Sequence, residues 1–415
     1  MRRIAFAVGA LLFALTAGAQ GNSVLYHGWW QAKLGRPDGQ SIVFNFLVKD
    51  SAGKTILYVR NAGERLLVDD VRVTGDSVHI RMPFFEAGFR AKIQPDGHLD
   101  GQFVRRLATG ELVQPFIALP RTEERFALTG GNATVQAQGR YAVRFLDARG
   151  ATADTAVGEF FQEGNHVTGT FLTPSGDYRY LEGVVTGDSL KVSTFDGNHS
   201  FVFVAAVGPD HSLHGKIFSN KAPASAWEGT WNPQADLPAG ADASALKNKD
   251  SSQLYFRFPD LDSTLVSIQD ARYHGKVVVI TIMGSWCPNC MDETAFLSPW
   301  YRENKARGVE IIGLAYERST DFERSKAGLS TFQKRFHVTY PLLITGVTVG
   351  DPDKASKTLP QLDDIKAFPS TLFLDKQGHV RRITAGFSGP GTGQHYIDFQ
   401  KEFNDYISSL LAEKD

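Results

Sequence analysis

Through roughly the first 230 residues, apolar and polar positions alternate in short runs, which is the period of a half-buried strand. Runs at 41–48, 55–60, 66–68, 77–82 and 89–93 are rich in β-branched and aromatic residues. Breakers separate them: Ser51-Ala52-Gly53, Gly75-Asp76, Asp96-Gly97 and Asp196-Gly197. No window of about twelve residues in this region carries a clean helical stripe. After residue 253 the pattern changes. The stretch 277–283, Val-Val-Val-Ile-Thr-Ile-Met, is an almost unbroken apolar run of strand length, as expected for a strand covered on both faces. The pattern then predicts a helix over 288–307, a buried strand over 309–315, a helix over 322–336 and a short strand over 341–344. A hairpin follows, 370–375 and 379–384 around Lys376-Gln377-Gly378. The end is an amphipathic helix with Tyr396, Phe399, Phe403, Ile407, Leu410 and Leu411 on one side. Strands alternating with helices and closing on a hairpin imply a three-layer α/β domain.

The β-rich part repeats itself. Thr74-Gly75-Asp76-Ser77-Val78-His79-Ile80 returns as Thr186-Gly187-Asp188-Ser189-Leu190-Lys191-Val192, and Leu99-Asp100-Gly101-Gln102-Phe103 returns as Leu213-His214-Gly215-Lys216-Ile217. Order and spacing match, which implies two related all-β halves at about 24–120 and 135–232. Trp29 and Trp30 open the region, and Trp227 and Trp231 close it. Paired opening and closing strands suit a closed barrel or a two-sheet sandwich. Packing is the expected work of these tryptophans, an aromatic ligand mouth the alternative. Between 236 and 252 the composition turns to Pro, Ala, Asp, Ser and Lys, so a linker is expected there. The organisation is therefore an all-β domain at 21–235, a linker at 236–252 and an α/β domain at 253–415.

A length of 415 residues agrees with two or three domains. Arg2 and Arg3, an apolar run at 4–15 and the small-residue site Ala17-Gly18-Ala19 read as a secretory signal over 1–19. Its apolar run is too short to span a bilayer, and no other stretch is long and apolar enough, so an exported protein without stable membrane insertion is expected. The 44 Lys and Arg nearly balance the 45 Asp and Glu. No basic patch is interleaved with aromatics, so nucleic acid is not an expected partner.

Cysteine usage narrows the chemistry most. The chain has two, Cys287 and Cys290. A disulfide closing so small a loop removes little chain entropy, which makes stabilisation a poor reason for it. Zinc needs about four ligands, and no second Cys or Cys/His pair stands at ligand spacing. Redox exchange between the two thiols is what remains, with no metal or other cofactor. The Cys-Pro-Asn-Cys turn directly follows the expected central strand and opens a helix. Pro288 suits the first helical turn, where its missing N–H is not needed. Cys287 then lies where free amides and the helix dipole stabilise a thiolate, and Cys290 lies one turn further in. Cys287 would attack a partner's disulfide and Cys290 would resolve the mixed disulfide; in reverse, the pair oxidises a substrate.

The segment Gly284-Ser285-Trp286-Cys287-Pro288-Asn289-Cys290-Met291-Asp292-Glu293 resembles the active-site segment of the TlpA/ResA-like thioredoxin family. The resemblance covers about 251–413 and leaves the β region outside. It implies a thioredoxin-like fold, Trp286 and Pro288 as support for the cysteines, and Glu293 as a group tuning proton transfer, against the plainer reading of a helix-surface carboxylate. Phe368-Pro369-Ser370-Thr371 resembles the family's cis-proline segment, which implies that Pro369 faces the cysteines and that Phe368, with Trp286, lines the substrate groove. Gly386 also fits the pattern. The segment 345–366 is longer than a compact member needs and reads as a decorated surface loop, with a lid or a partner-docking loop as the alternatives. Taken together, these features point to an exported, periplasmic protein-disulfide oxidoreductase acting on envelope proteins. An exported reductase needs a membrane electron donor, of the DsbD type, because its compartment is oxidising. The alternatives are a peroxiredoxin-like antioxidant enzyme, or a β-domain binding module with an appended redox domain.

Overall fold

The computed structural model describes residues 24–237, 243–248 and 252–414. The expected signal segment at 1–19 lies outside the described residues, as does part of the expected linker.

Residues 28–231 build two β-barrels. In the first, nine antiparallel strands run from Gly28–Gly35 to Glu111–Pro120, and the opening strand pairs with the closing one. The two edge strands, Glu64–Val68 and Asp70–Thr74, are neighbours in the chain separated by Asp69 alone, so the sheet comes full circle. In the second half the ring is closed by hydrogen bonds. Gly139–Leu146 pairs with both Thr152–Glu163 and Ser225–Trp231, and Thr152–Glu163 also pairs with His166–Thr173. Opening and closing strands thus pair within each half, not across the whole region. The repeated sequence has a structural reason in each barrel. Gly75 (φ 61°) and Gly187 (φ 58°) make the same left-handed turn between equivalent strands. A Cβ at Gly101 or at Gly215 would collide with a carbonyl of the adjacent strand, of Arg90 and Val204 respectively.

Trp30, Phe44, Phe103 and Phe116 fill the first barrel, whereas Tyr141, Phe160, Phe171, Phe203 and Trp227 fill the second. Trp30 and Trp227 are wholly buried, as packing requires, while Trp231 is about half exposed. The barrels also share a core. Phe195 of the second stacks on Phe44 of the first at 4.1 Å between ring centroids.

The C-terminal domain is a five-stranded sheet in the order Leu342–Ile344, Val309–Ala315, Val277–Met283, Ser370–Leu374, Val380–Ala385. The first three are parallel and the last two antiparallel. Val277–Met283 is central and entirely buried, which explains its unbroken apolar run. Odd-numbered positions of that strand face helices α1 (Pro288–Asn304), α2 (Phe322–Phe336) and α4 (Gln394–Ala412), through Phe296, Leu329 and Phe403 among others. Even-numbered positions face an irregular layer. It contains the ribbon Arg257–Pro259 and Leu265–Ser267 and the short helix α3 (Lys354–Thr358).

Two expectations change here. The segment 345–366 is not a surface loop: Leu359, Leu362 and Ile365 are buried in the sheet's second core, and the Tyr316 and Thr358 hydroxyls lie 2.6 Å apart. The stretch 243–248, read as linker, is tied to that segment by Lys247 N–H to Gln361 O (2.9 Å) and Ala245 N–H to Asp363 Oδ1 (2.7 Å). Neither was legible locally: 243–248 is held by partners more than a hundred positions away, and 345–366 is buried by packing on the sheet, on Ile280 and Tyr316 among others.

Candidate active site

Val277–Met283 ends at Gly284, the chain turns through Ser285 and Trp286, and α1 begins at Pro288. Cys287 is the N-cap of α1, with extended backbone (φ −104°, ψ 114°), and its Sγ accepts the backbone N–H of Cys290 at 3.1 Å. A sulfur there takes the place of the Ser or Asp oxygen that ordinarily caps a helix, so negative charge on Sγ is favoured by a free amide and by the helix dipole. Cys290 is joined to Cys287 as a disulfide. On the opposite side, Cys287 Sγ lies 3.4 Å from the carbonyl oxygen of Phe368, and the Phe368–Pro369 peptide is cis. Pro369 opens the strand Ser370–Leu374, which is hydrogen-bonded to the central strand, and this brings the two distant motifs together.

Trp286 is fixed by its indole N–H on the Tyr316 carbonyl (2.8 Å) and by edge contacts to Phe368 (5.4 Å between ring centroids). The Arg318 guanidinium lies 5.4 Å from the Trp286 ring. Beneath this, Glu317 is buried and accepts both the backbone N–H and the hydroxyl of Ser285, each at 2.7 Å. Burial raises the pKa of Glu317.

Glu293 is buried, so the surface-carboxylate reading does not hold. It lies one turn beyond Cys290 on α1 and accepts the hydroxyls of Thr281 and Thr371. Those two threonines are directly opposed in the antiparallel ladder, and both project toward α1. With burial the dominant cause and the two hydroxyls working against it, the Glu293 carboxyl is pushed up to about 7. A buried carboxyl of that pKa can both hold and release a proton near neutral pH. Sequence reasoning missed Thr281 and Thr371. The available signal was the single polar position in the run Val-Val-Val-Ile-Thr-Ile-Met.

A second set of missed residues comes from the barrels. Asn289, between the cysteines, donates from Nδ2 to the Asp177 carbonyl (3.3 Å), and Gly176 lies against it. Asp292, two residues beyond Cys290, receives a two-pronged ion pair from Arg179 (2.8 and 2.9 Å). Asp177 accepts the N–H of Gly389 (2.7 Å). Burial, with Asp292 adding to it, pushes Asp177 up to about 6. None of these contacts shows in local sequence, since the partners are separated by more than a hundred positions. Among the described residues no cluster of three or more His, Cys, Asp or Glu could hold a metal ion.

Residues 238–395 match the Redoxin family. The thiol–disulfide oxidoreductase ResA of Geobacillus kaustophilus (strain HTA426) is 28% identical over 114 residues, which is 28% of this chain and 57% of that protein. ResA of Bacillus subtilis (strain 168) is 24% identical over 131 residues, 32% of this chain and 64% of that one. The match therefore spans less than two-thirds of the length of these curated relatives. Among solved structures, a thioredoxin-family thiol:disulfide interchange protein from Chlorobium tepidum TLS is 17% identical, with 39% of this chain and 96% of that chain covered and a TM-score of 0.30. A secreted thiol-disulfide isomerase from Corynebacterium glutamicum is 19% identical, with 43% and 98% covered and a TM-score of 0.32. The C-terminal part of this chain thus carries a Redoxin match over residues 238–395 and is similar in sequence to part of the ResA thiol–disulfide oxidoreductases.

Proposed function

We propose that the protein is an exported thiol–disulfide oxidoreductase that reduces disulfides of envelope proteins through Cys287 and Cys290. The observation that carries this reading is the capping geometry: Cys287 Sγ accepts the Cys290 amide at the head of α1 and faces the Phe368 carbonyl across the site. In the reduced protein, the Cys287 thiolate attacks one sulfur of the substrate disulfide. The new S–S bond forms as the old one breaks, and the departing substrate thiolate takes up a proton. Cys290 then loses its proton, with Glu293 as the buried group suited to receive it, and attacks Cys287 Sγ. The second substrate thiolate leaves. The substrate has gained two electrons and the protein holds the Cys287–Cys290 disulfide. A membrane dithiol donor of the DsbD type would return the pair to the reduced state.

Direction follows from potential. A two-electron reduction potential near −270 mV is expected for a reductase, and one near −120 mV would make the pair an oxidant and overturn the proposed direction. Insulin reduction by the full chain should be lost in Cys287→Ser. Residual turnover in that variant would remove Cys287 from the role assigned to it.

A further inference from the structure

The redox turn is unusually well covered for a centre that must meet other proteins. Cys287 is 2% exposed, Asn289 8% and Cys290 0%. A reactive thiol needs an approach path, and buried cysteines are ordinarily inert. Asn289, between the two cysteines, owes part of its cover to the second barrel. The hairpin carrying Ser175, Gly176, Asp177 and Arg179 reaches out of that barrel onto the head of α1 and onto the loop at 386–391. Gly176 meets the Asn289 side chain, and Asp177 holds both Asn289 and Gly389. Gly386 and Gly391 pass so close to Ser175 and Arg179 that a Cβ at either would clash with the hairpin backbone.

One residue clamps the hairpin in place. Arg179 is buried and has a left-handed backbone (φ 57°), a conformation that a residue other than glycine adopts only where its surroundings enforce it. Its guanidinium binds Asp292 of the redox helix, Asp196 of the second barrel (3.1 Å) and Glu64 of the first (2.7 Å). His199 also lies 3.2 Å from Asp196. A single cation therefore ties both barrels to the helix that carries the cysteines. The clamp does not touch the sulfurs.

We propose that the Ser175–Arg179 hairpin is the specificity gate of the redox centre, with Arg179 as its positioning residue: closed, it disfavours disulfides set in bulky folded surfaces and favours those on flexible, protruding segments of proteins or on small molecules, which need little displacement of the hairpin. This rests on the exchange chemistry proposed above and adds a size limit to it. The barrels are then a wall of the active site and not a remote tether.

The test compares two substrates on the full chain. With bis(2-hydroxyethyl) disulfide and insulin as oxidants of the reduced protein, the wild type should favour the small disulfide. Arg179→Ala should raise the insulin rate at least about tenfold while leaving the small-disulfide rate within about twofold, and Arg179→Lys should fall between. An unchanged ratio between the two substrates overturns the gate. A wild type that fails to reduce the small disulfide through Cys287 removes the exchange reading itself, and the gate with it. Should Arg179→Ala not fold, hydrogen exchange on Cys290→Ser protein keeps the question open to decision. The amides of Tyr178 and Arg179 should lose protection when insulin is trapped at Cys287, and retained protection overturns the gate.

Discussion

Glu293 shows what a single residue contributes and what it costs. Its side chain is buried between α1 and two opposed strand threonines, and burial favours its neutral form. A carboxyl whose pKa is higher in the folded chain than in the unfolded one binds more protons when folded. The stability it contributes is therefore complete at pH values below the ordinary carboxylate range, and it is lost as pH rises through about 7. Asp177 acts in the same sense with a midpoint near 6. We expect Glu293→Gln to remove the Glu293 component. Urea unfolding should find the variant more stable than wild type at pH 8, by up to roughly 3 kcal/mol, and nearly equal at pH 4. The same substitution should also abolish an inflection near pH 7 in the rate at which Cys290 resolves a mixed disulfide. A wild-type stability that is flat from pH 4 to 8 would refute the assignment. The cysteines were legible in the sequence because their motif is contiguous and sits at a strand-to-helix junction. Thr281 and Thr371 were not, since their opposition is a matter of register between strands ninety positions apart.

At the level of elements, periodicity located the five strands of the C-terminal sheet and helices α1, α2 and α4, and it missed the ribbon Arg257–Pro259 and Leu265–Ser267 and helix α3. The expected helix at 288–307 becomes α1 followed by a short 3-10 turn at Lys305–Arg307, ended by the left-handed Gly308. The repeated turn and Leu-x-Gly motifs marked equivalent strands of two barrels, because left-handed turn geometry and close strand approach are local demands that glycine meets at least cost. What local pattern could not show is that 345–366 closes the far face of the sheet. Leu359, Leu362 and Ile365 stand at every third position, but so short a run marks no element by itself, and only the second face of the sheet gives them a partner. Leu362→Ala should accordingly destabilise the protein by about 2–4 kcal/mol in urea unfolding, as expected for a core leucine. A change of a few tenths would return the segment to the status of a surface loop.

For the whole molecule, the β region and the redox domain form a common interface. Phe84 of the first barrel stacks on Phe336 of α2 (5.4 Å between centroids), Arg324 of α2 pairs with Glu86 at 2.6 Å, and Arg179 binds Asp292. Phe84→Ala should cost about 3 kcal/mol and separate the unfolding of the two parts into distinguishable transitions, followed by calorimetry. An unchanged single transition would mean that the aromatic contact does little to join them. Sequence reasoning divided the chain correctly into a β-rich region and an α/β domain but could not anticipate this joint surface, because the residues that meet there carry no shared motif. The central claim remains the division of labour between Cys287 and Cys290, and the most direct measurement is covalent trapping. Full-length Cys290→Ser, exposed to a disulfide-bearing protein, should accumulate a mixed disulfide that mass spectrometry maps to Cys287 and that a small dithiol releases. If no adduct forms at Cys287 while the wild-type chain reduces the same substrate, the mechanism is wrong.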